Sequence, residues 1–276
     1  MLECVLNLSE GRDGAVLDRV IAAARPALLD LHRDPHHHRS VLTLAGPHVE
    51  VAARAVTAAA VRLLDLSRHD GVHPRLGLVD VVPFVPLAGS TMADAVAARD
   101  EFATWVADEL GLPCFVYGPL VSELEAPGRS LPDIRRDAFG PLAPDHGPPS
   151  PSATAGAVCA GARPPLVAFN VWLDPSATVS DARRAAASVR GATVRALGFD
   201  VGGRTQVSMN LVEPERFGPA DAYDAVARLA PAHGAELVGL LPATVLGAIP
   251  TARWTQLDLA FDRTIEACVA RACLGW

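Results

Sequence analysis

The sequence lacks the cysteine patterns that mark disulfide frameworks and thiolate zinc sites. Its five cysteines are odd in number, lie scattered along 276 residues, and include no Cys-x-x-Cys pair. Small secreted domains use an even number of closely spaced cysteines, whereas reducing compartments keep thiols free. We therefore expect a cytoplasmic protein that carries no cysteine-based metal site.

Strong positive charge, a leader segment and a long apolar run are missing as well. The formal net charge is −7 and there is no run of basic residues, which argues against nucleic acid and anionic membranes as partners. The first seven residues, MLECVLN, contain no basic region and no long apolar stretch, so we expect no signal peptide. No segment has the length and apolarity of a membrane span. An anionic small-molecule substrate would need local arginine or histidine.

What the sequence does contain is ample apolar material in an ordered pattern. Half of the residues are hydrophobic, and 276 residues suffice for one large or two small cores. The first half is predicted to run strand, helix, strand, strand, helix, strand, and then helix and strand. The predicted elements are Leu2–Leu8, a helix capped by Asp13, Leu28–Leu31, Arg39–Ala45, a helix opened by Pro47, Leu78–Val85, Met92–Leu110 and Pro113–Tyr117.

The second half repeats the strand-helix-strand-strand-helix-strand order and adds a last helix. Its predicted elements are strands at Leu166–Leu173, Thr193–Phe199, Gln206–Val212 and Leu237–Leu241, helices opened by Ser180 and by Gly218, and a final helix over Ala252–Ala272. Two such units are typical of a duplicated ferredoxin-like fold in the α+β class, an α/β sandwich. A doubly wound sheet is the second choice, but paired strands without intervening helices count against it.

The two halves are expected to form an N-terminal domain, 1–164, and a C-terminal domain, 165–276. The stretch from about 125 to 164 is dense in proline, glycine, serine and alanine. We interpret it as a long loop that crosses between the halves. Loops of this length are uncommon in compact chains and are often functional.

The densest group of reactive side chains is Arg68–Gly77, RHDGVHPRLG, between a helix end and a strand start. A neutral imidazole can take up a proton near neutral pH and return it. A neighbouring arginine can hold a carboxylate in bidentate fashion. From spacing alone, a capped turn whose arginines pair with surface acids is an alternative, because structural networks also perturb such groups.

This stretch resembles the hallmark of the formiminotransferases, which move a formimino group from N-formiminoglutamate to tetrahydrofolate in histidine degradation. The family motif reads Arg-His-x-Gly-x-His-Pro-Arg-x-Gly, followed by an Asp on the next strand. Asp80 stands at that place here. The resemblance implies that His73 is the catalytic residue and that tetrahydrofolate is a co-substrate.

Further family segments follow in order along nearly the whole chain. They are NLSEGR at 7–12, YG at 117–118, LPDIR at 131–135, GAR at 161–163, LVAFN at 166–170, QVSMNL at 206–211 and ELVGLLP at 236–242. Ordered matches of this kind are far more specific than a single motif. The resemblance implies two ferredoxin-like halves, a homodimer, and a transferase unit that is often fused to a helical cyclodeaminase, a part that the resemblance here does not include.

The resemblance also directs attention to residues that would hold the substrates. Arg39, Arg75 and Arg163 are expected to bind substrate carboxylates and to balance the anionic folate tail. The other candidates for substrate or folate binding are His32, His38, Gly147, Gly156, Asn170 and Asn210. The two asparagines lie on predicted strands, where an amide must find partners. They therefore either hold a ligand or bond between strands.

Several positions depart from the family pattern. His32 stands where the family has the second Asp of an Asp-x-Asp element, His38 replaces an Asn, and Val72 replaces a Glu. A proton relay that uses this Asp is therefore altered here. In the folate-binding loop, small residues or proline take the bulky positions: Pro151, Ser152 and Ala155. Less aromatic surface weakens stacking on a pterin.

The run of three histidines at 36–38 allows a metal-site interpretation. His32, His36 and His38 could face one ion, because alternate side chains of an extended segment share a side. The alternative is a polar loop that binds an anion or meets solvent. We expect no metal, since a second group of Cys or carboxylate ligands with recognisable spacing is missing.

The predicted mechanism is amine exchange at an amidine carbon. His73 would remove a proton from the attacking nitrogen and then protonate the leaving nitrogen, while the site positions the two reactants. Two alternatives stay open: a related formyl or formimino transfer with another donor or acceptor, and a binding protein that retains the site without turnover.

Overall fold

A computed structural model describes residues 1–71 and 73–272 of the chain. Helices and two separate β-sheets are both present, which confirms the α+β class. The described residues form two compact units, Met1–Pro164 together with Ala272, and Pro165–Arg271. The division into domains 1–164 and 165–276 stays a prediction. Among the described residues, no helix combines the length and apolarity that crossing a bilayer requires.

The first unit contains six strands and four α-helices. They are β1 (Leu2–Leu8), α1 (Gly14–Ile21), β2 (Leu28–Asp34), β3 (Arg39–Gly46), α2 (Val49–Leu63), β4 (Val79–Pro86), α3 (Met92–Leu110), β5 (Cys114–Tyr117), α4 (Leu131–Asp137) and β6 (Val158–Ala162). Local signals set the helix ends. Asp13 caps α1 by accepting a hydrogen bond from the Val16 amide at 3.0 Å, and Gly111, with φ 63°, ends α3.

The sheet of the first unit has the strand order β2-β3-β1-β4-β6-β5. The first four strands are antiparallel, whereas β6 runs parallel to both β4 and β5. One face of the sheet packs on α2 and α3. Phe84 of β4 meets Phe102 of α3 with ring centroids 5.8 Å apart. This contact packs α3 on the strand whose first residues include the predicted site residue Asp80.

The prediction of a long crossover loop from about 125 to 164 is wrong in part, because this segment contains α4 and β6. Strand β6 has the sequence VCAGA, and all five residues are buried. A parallel strand that is covered on both faces shows no polar alternation, and the proline and glycine around it hid the signal. The consequence is that this segment completes the sheet of the first unit.

The second unit contains four strands and four α-helices. They are β7 (Val167–Leu173), α5 (Val179–Val189), β8 (Val194–Val201), β9 (Arg204–Leu211), α6 (Pro219–Ala227), β10 (Ala232–Val238), α7 (Ala243–Gly247) and α8 (Ile265–Arg271). The sheet order is β10-β7-β9-β8. This is the order of β4-β1-β3-β2 in the first unit, so both units place the fourth strand beside the first and the third beside the second.

The prediction of one long final helix over Ala252–Ala272 is wrong. The structure has short 3-10 turns at Thr251–Arg253 and Phe261–Arg263, followed by α8. Between the turns Asp258 adopts φ 55°, a left-handed conformation that a continuing helix excludes. Thr264 then opens α8, because its hydroxyl accepts a hydrogen bond from the Ala267 amide at 3.2 Å.

Candidate active site

Three neighbouring strands of the first unit bring the candidate residues together. Strand β1 lies between β3 and β4, and its residue Asn7 pairs with Val41 on one side and Val81 on the other. Arg39 at the start of β3 and Asp80 at the start of β4 therefore flank the same end of β1. The Arg68–Gly77 loop enters β4 at this edge and carries His73 into the group.

His73 has both ring nitrogens in hydrogen bonds. Its Nε2 lies 2.7 Å from Nη1 of Arg39, and its Nδ1 lies 2.8 Å from the carbonyl oxygen of Pro74. Because guanidinium only donates and a carbonyl only accepts, Nε2 is the acceptor and Nδ1 carries the proton. His73 is therefore a neutral imidazole with its tautomer set by the two neighbours.

The surroundings strongly favour this neutral form. Burial, followed by the positive charges of Arg39 and Arg135, lowers the pKa of His73 to about 2. Burial also lowers the pKa of Arg39 to about 10, partly offset by the charge of Asp80. Arg39 thus stays charged at neutral pH. Its Nη2 donates to Oδ1 of Asn7 at 2.7 Å, which fixes the guanidinium against His73.

Asp80 supplies the negative charge beneath this group. Its side chain is almost fully buried, one carboxylate oxygen accepts from the Leu76 amide at 2.7 Å, and the other pairs with Arg135 at 2.5 Å. The first contact ties the motif loop to β4, and the second brings in α4. Ser9 adds a further tie, since its hydroxyl donates to the Gly77 carbonyl at 2.7 Å.

Arg75 holds its own loop in this structure. Its guanidinium donates to the carbonyl oxygens of Gly71, His73 and His69 at 2.8, 3.2 and 3.0 Å. This arrangement orients the loop that carries His73, and it differs from the expectation that Arg75 holds a substrate carboxylate. Val72, the departure from the family's Glu noted above, lies outside the described residues.

His38 and His69 form a stacked pair with ring centroids 4.2 Å apart. The Gly11 amide donates to Nδ1 of His38, whose backbone has a φ of 52°, and Nε2 of His69 lies 2.7 Å from the His38 carbonyl. Burial is the largest cause lowering the pKa of both rings. His38 therefore serves to join the histidine run to the motif loop.

Sequence reasoning missed a second histidine, His37, at the same place. Its Nδ1 lies 2.6 Å from Oδ2 of Asp34, and its ring lies edge-on to His73 with centroids 6.1 Å apart. Burial raises the pKa of Asp34, but hydrogen bonds from the His37 side chain and from backbone amides outweigh it and lower the pKa to about 2. The Asp-x-x-His spacing was the available signal. His37, His73, Arg39 and Asp80 line a common cavity of about 10 Å³, room for roughly one water.

The histidines proposed as a metal set do not converge. His32 lies on β2 opposite Val41, His36 is exposed, and His38 faces Gly11. Over residues 1–71 and 73–272 no group of three or more His, Cys, Asp or Glu side chains could hold an ion.

Two of the predicted glycines have conformational roles. Gly147 has φ 81° and Gly156 has φ 70°. A methyl group on Gly156 would lie 2.2 Å from the carbonyl oxygen of Leu76, and one on Gly147 would lie 2.4 Å from that of Leu112. The segment around Gly156 therefore runs directly against the end of the motif loop, pairing with Gly77.

Arg163 follows β6 and lies among buried groups of the first unit. Its backbone amide donates to the Phe84 carbonyl at 3.1 Å, and its Nη1 donates to the Pro164 carbonyl at 2.9 Å. Burial lowers the pKa of Arg163, while the nearby Tyr117 and Glu3 raise it. These contacts do not join it to His73.

Asn170 and Asn210 lie in the second unit and differ from each other. Asn170 is buried, and its amide donates to Oε2 of Glu236 at 3.1 Å. Gln206 donates to the same oxygen at 3.2 Å, while its own Oε1 is buried without a hydrogen-bond partner in the described part of the chain. Asn210 is exposed on β9, opposite Ala168 and Arg195. Asn170 therefore takes part in strand-to-strand bonding.

An α+β scaffold that holds a half-buried neutral imidazole against an arginine, with a buried carboxylate lining the same cavity, is an enzyme-like arrangement, and comparison with known proteins agrees. The model for the formiminotransferase domain, N-terminal subdomain, matches residues 1–163. Together with the relatives below, this match shows that the chain belongs to the formiminotransferase family, whose members named below are transferases.

Relatives match most of the chain. It is 34% identical over 273 residues to glutamate formimidoyltransferase of Streptococcus pyogenes serotype M1, covering 89% of this chain and 90% of the relative. The enzyme of that name from Thermoplasma acidophilum is 34% identical, with 89% of each chain covered. Formimidoyltransferase-cyclodeaminase of Sus scrofa is 35% identical, covering 89% of this chain, which spans about half, 51%, of that relative.

Proposed function

We propose that this protein transfers a formimino group from N-formiminoglutamate to tetrahydrofolate, with His73 as general acid and base. Relatives that are matched over about nine-tenths of their length carry the name glutamate formimidoyltransferase. The observation that carries the residue assignment is the 2.7 Å contact between Nε2 of His73 and Arg39. In this contact the neutral ring of His73 has its lone pair on Nε2, at the end of β1, β3 and β4. A substrate there can take the place of Arg39 as the partner of Nε2.

The surroundings of His73 suit an acceptor-rich, anionic ligand. The Nε atoms of Arg39 and Arg135 are buried and have no hydrogen-bond partner among the described residues. A buried donor without a partner carries a free-energy cost of about 1–3 kcal/mol. A carboxylate or a carbonyl oxygen of the substrates would remove that cost. The bound tetrahydrofolate would supply the attacking nitrogen, and Arg39 and Arg135 are the residues that would hold an acceptor group nearby.

Proton transfer at His73 requires that Arg39 release its hydrogen bond to Nε2 of His73. A substrate carboxylate is a stronger partner for a guanidinium than a neutral imidazole is, because both partners are charged. When Arg39 turns to that carboxylate, the lone pair of Nε2 becomes available to the attacking nitrogen. His73 then removes one proton and returns one to the nitrogen of glutamate, so the ring ends as it began.

A turnover assay with N-formiminoglutamate and tetrahydrofolate tests this function. Acid converts the expected product to a methenyl folate that is read optically. We expect turnover by the wild type and a kcat lower by about 100-fold or more in His73→Ala, the size of general acid–base effects. His233→Ala, a change at an exposed histidine of the second unit, serves as the control and should keep wild-type turnover. Turnover by His73→Ala equal to the control would refute the role of His73.

Two observations favour a second candidate, a protein that binds these ligands without turnover. His73 has both nitrogens occupied and a pKa of about 2, and His32 stands at the position where the family has an Asp. A rise in melting temperature with tetrahydrofolate, together with no product from any formimino or formyl donor, would favour it. The homodimer and the cytoplasmic location stay predictions, and light scattering tests the first.

A further inference from the structure

The proposed reaction needs two proton transfers, and both ring nitrogens of His73 are engaged by neighbouring groups. The carbon–nitrogen bond to the acceptor amine forms, and the carbon–nitrogen bond to glutamate breaks. The acceptor nitrogen loses one proton and the glutamate nitrogen gains one, so the exchange is balanced overall. His73 starts with its proton on Nδ1, which points to the Pro74 carbonyl, and with its lone pair held by Arg39. A second group that can exchange a proton would solve this problem.

The Asp34–His37 pair has the features of such a group. The carboxylate Oδ2 lies 2.6 Å from Nδ1 of His37, so the ring proton lies between them and the lone pair of a neutral ring is on Nε2. The other carboxylate oxygen accepts from the backbone amides of His36 and His37 at 2.8 and 2.9 Å. These contacts fix the carboxylate, and the carboxylate fixes the ring.

The position of the pair ties it to the reacting site. His37 is buried, lines the same small cavity as His73, and meets the His73 ring edge-on at 6.1 Å between centroids. Asp34 lies two residues after His32 on β2 without an intervening bulge, so both side chains leave the same face of the strand. The family pattern has a carboxylate at position 32. In this chain Asp34 supplies a carboxylate on the same face of β2, two residues further along the strand.

We infer that His37, oriented by Asp34, is a second acid–base residue of this site. The assignment rests on the proposed function. His73 takes the proton from the attacking nitrogen while His37, protonated, delivers one to the glutamate nitrogen. The proton on His73 then passes to His37 through the shared cavity, so both rings end as they began. Asp34 acts through His37 and is a positioning residue.

Three variants of the full chain separate catalysis from structure. His37→Ala removes the ring. Asp34→Asn retains an oxygen for the backbone amides of His36 and His37 but presents an NH₂ group to Nδ1, which forces the ring proton to Nε2. His36→Ala is the matched control, because His36 is the neighbouring histidine and is exposed. For each we would measure kcat, KM for N-formiminoglutamate, melting temperature, and kcat with added imidazole.

We expect kcat to fall by about 100-fold in His37→Ala, the lower end of general acid–base contributions, and by only about 10-fold in Asp34→Asn, which retains the ring. KM should change much less, and His36→Ala should behave as the wild type. Imidazole should restore part of kcat in His37→Ala and nothing in Asp34→Asn, since only the first leaves a space for the ring.

Two results would overturn the assignment alone. One is a kcat of His37→Ala equal to that of His36→Ala with the wild type active. The other is a loss of kcat that follows a lower melting temperature and does not respond to imidazole, which would mean a structural role. Absence of turnover in the wild type would instead refute the proposed function, and this assignment with it.

Discussion

Corresponding strands of the two units carry corresponding polar residues with different electrostatic results. The first strand of each unit bears an asparagine, Asn7 or Asn170, and the fourth strand bears a carboxylate, Asp80 or Glu236. The third strand differs: it carries Arg39 in the first unit and Gln206 in the second. In each unit the third-strand side chain bonds to another member of its group.

The difference shows what the third-strand residue decides. In the first unit Arg135 pairs with the Asp80 carboxylate and Arg39 lies in the same group, and the buried atoms of this group that have no partner among the described residues are donors, Nε of Arg39 and of Arg135. In the second unit two neutral amides donate to the Glu236 carboxylate, and the buried atom that has no partner within the described part of the chain is an acceptor, Oε1 of Gln206. One topology thus sets two guanidinium cations near the carboxylate in one unit and two neutral amides in the other, because the sheet sets positions and side chains set charge.

The largest expected effect comes from breaking the charged group at Asp80. Asp80→Asn leaves Arg135, whose side chain is only 21% exposed, without its counter-ion. Removing one partner of a buried pair costs about 3–5 kcal/mol of unfolding free energy. Urea unfolding followed by circular dichroism measures this loss.

The second unit provides the control for that variant. Asp224 pairs with Arg253 through two contacts of 2.7 and 2.8 Å, but its side chain is 47% exposed. Asp224→Asn should cost about 0–1 kcal/mol, as exposed pairs do. Equal losses in Asp80→Asn and Asp224→Asn would mean that the Asp80 pair is as well solvated as a surface pair.

An intermediate effect on the free energy of unfolding is expected from a change of pH. It tests how strongly the positive group of the first unit disfavours protonation of His73. His73 has a pKa of about 2 in the folded protein against 6.5 as its ordinary value. Below pH 6.5 the unfolded chain therefore binds more protons at this position, and stability falls as pH decreases. His38 and His69 act in the same direction. We expect the urea midpoint of the wild type to fall between pH 7 and about 5 more steeply than that of His73→Asn. Parallel profiles would show that His73 is protonated as readily in the folded state as in the unfolded one.

The smallest effect is expected in the amide–carboxylate group of the second unit. Gln206→Met removes one donor to Glu236 together with the Oε1 acceptor that has no partner among the described residues. These two changes oppose each other, and the net change in unfolding free energy should stay within about 1 kcal/mol. Urea unfolding beside Asp80→Asn is the measurement. A loss as large as that of Asp80→Asn would contradict the contrast drawn between the two groups.

Local signals predicted much of the architecture. Helix α3 has the bounds Met92–Leu110 that its pattern indicated, and Asp13 caps α1 as expected. Prediction failed at β6, where burial on both faces removes alternation. It also failed over Ala252–Ala272, where Asp258 in a left-handed conformation interrupts the pattern. Both failures depend on surroundings that a sequence window does not contain.

The site shows the same division. The motif predicted the place of His73 and the strand position of Asp80. It could not predict that Arg75 bonds to three carbonyls of its own loop, nor that His37 meets the His73 ring. Spacing tells which residues are near in the chain, whereas hydrogen-bond partners depend on how the loops fold onto the sheet edge.

By itself the sequence determined the α+β class, the succession strand, helix, strand, strand, helix, strand along each half, and the histidine on which the proposed chemistry depends. Periodicity, helix caps and motif spacing act within about ten residues, and they can be read locally. The tertiary structure alone decided the partners of that histidine. Arg39 lies 34 residues from His73, and Arg135 lies 55 residues from Asp80. Only the pairing of β1 with β3 and β4, and the packing of α4 at their edge, brings these charges within reach, and burial of His73 there, followed by the charges of Arg39 and Arg135, lowers its pKa.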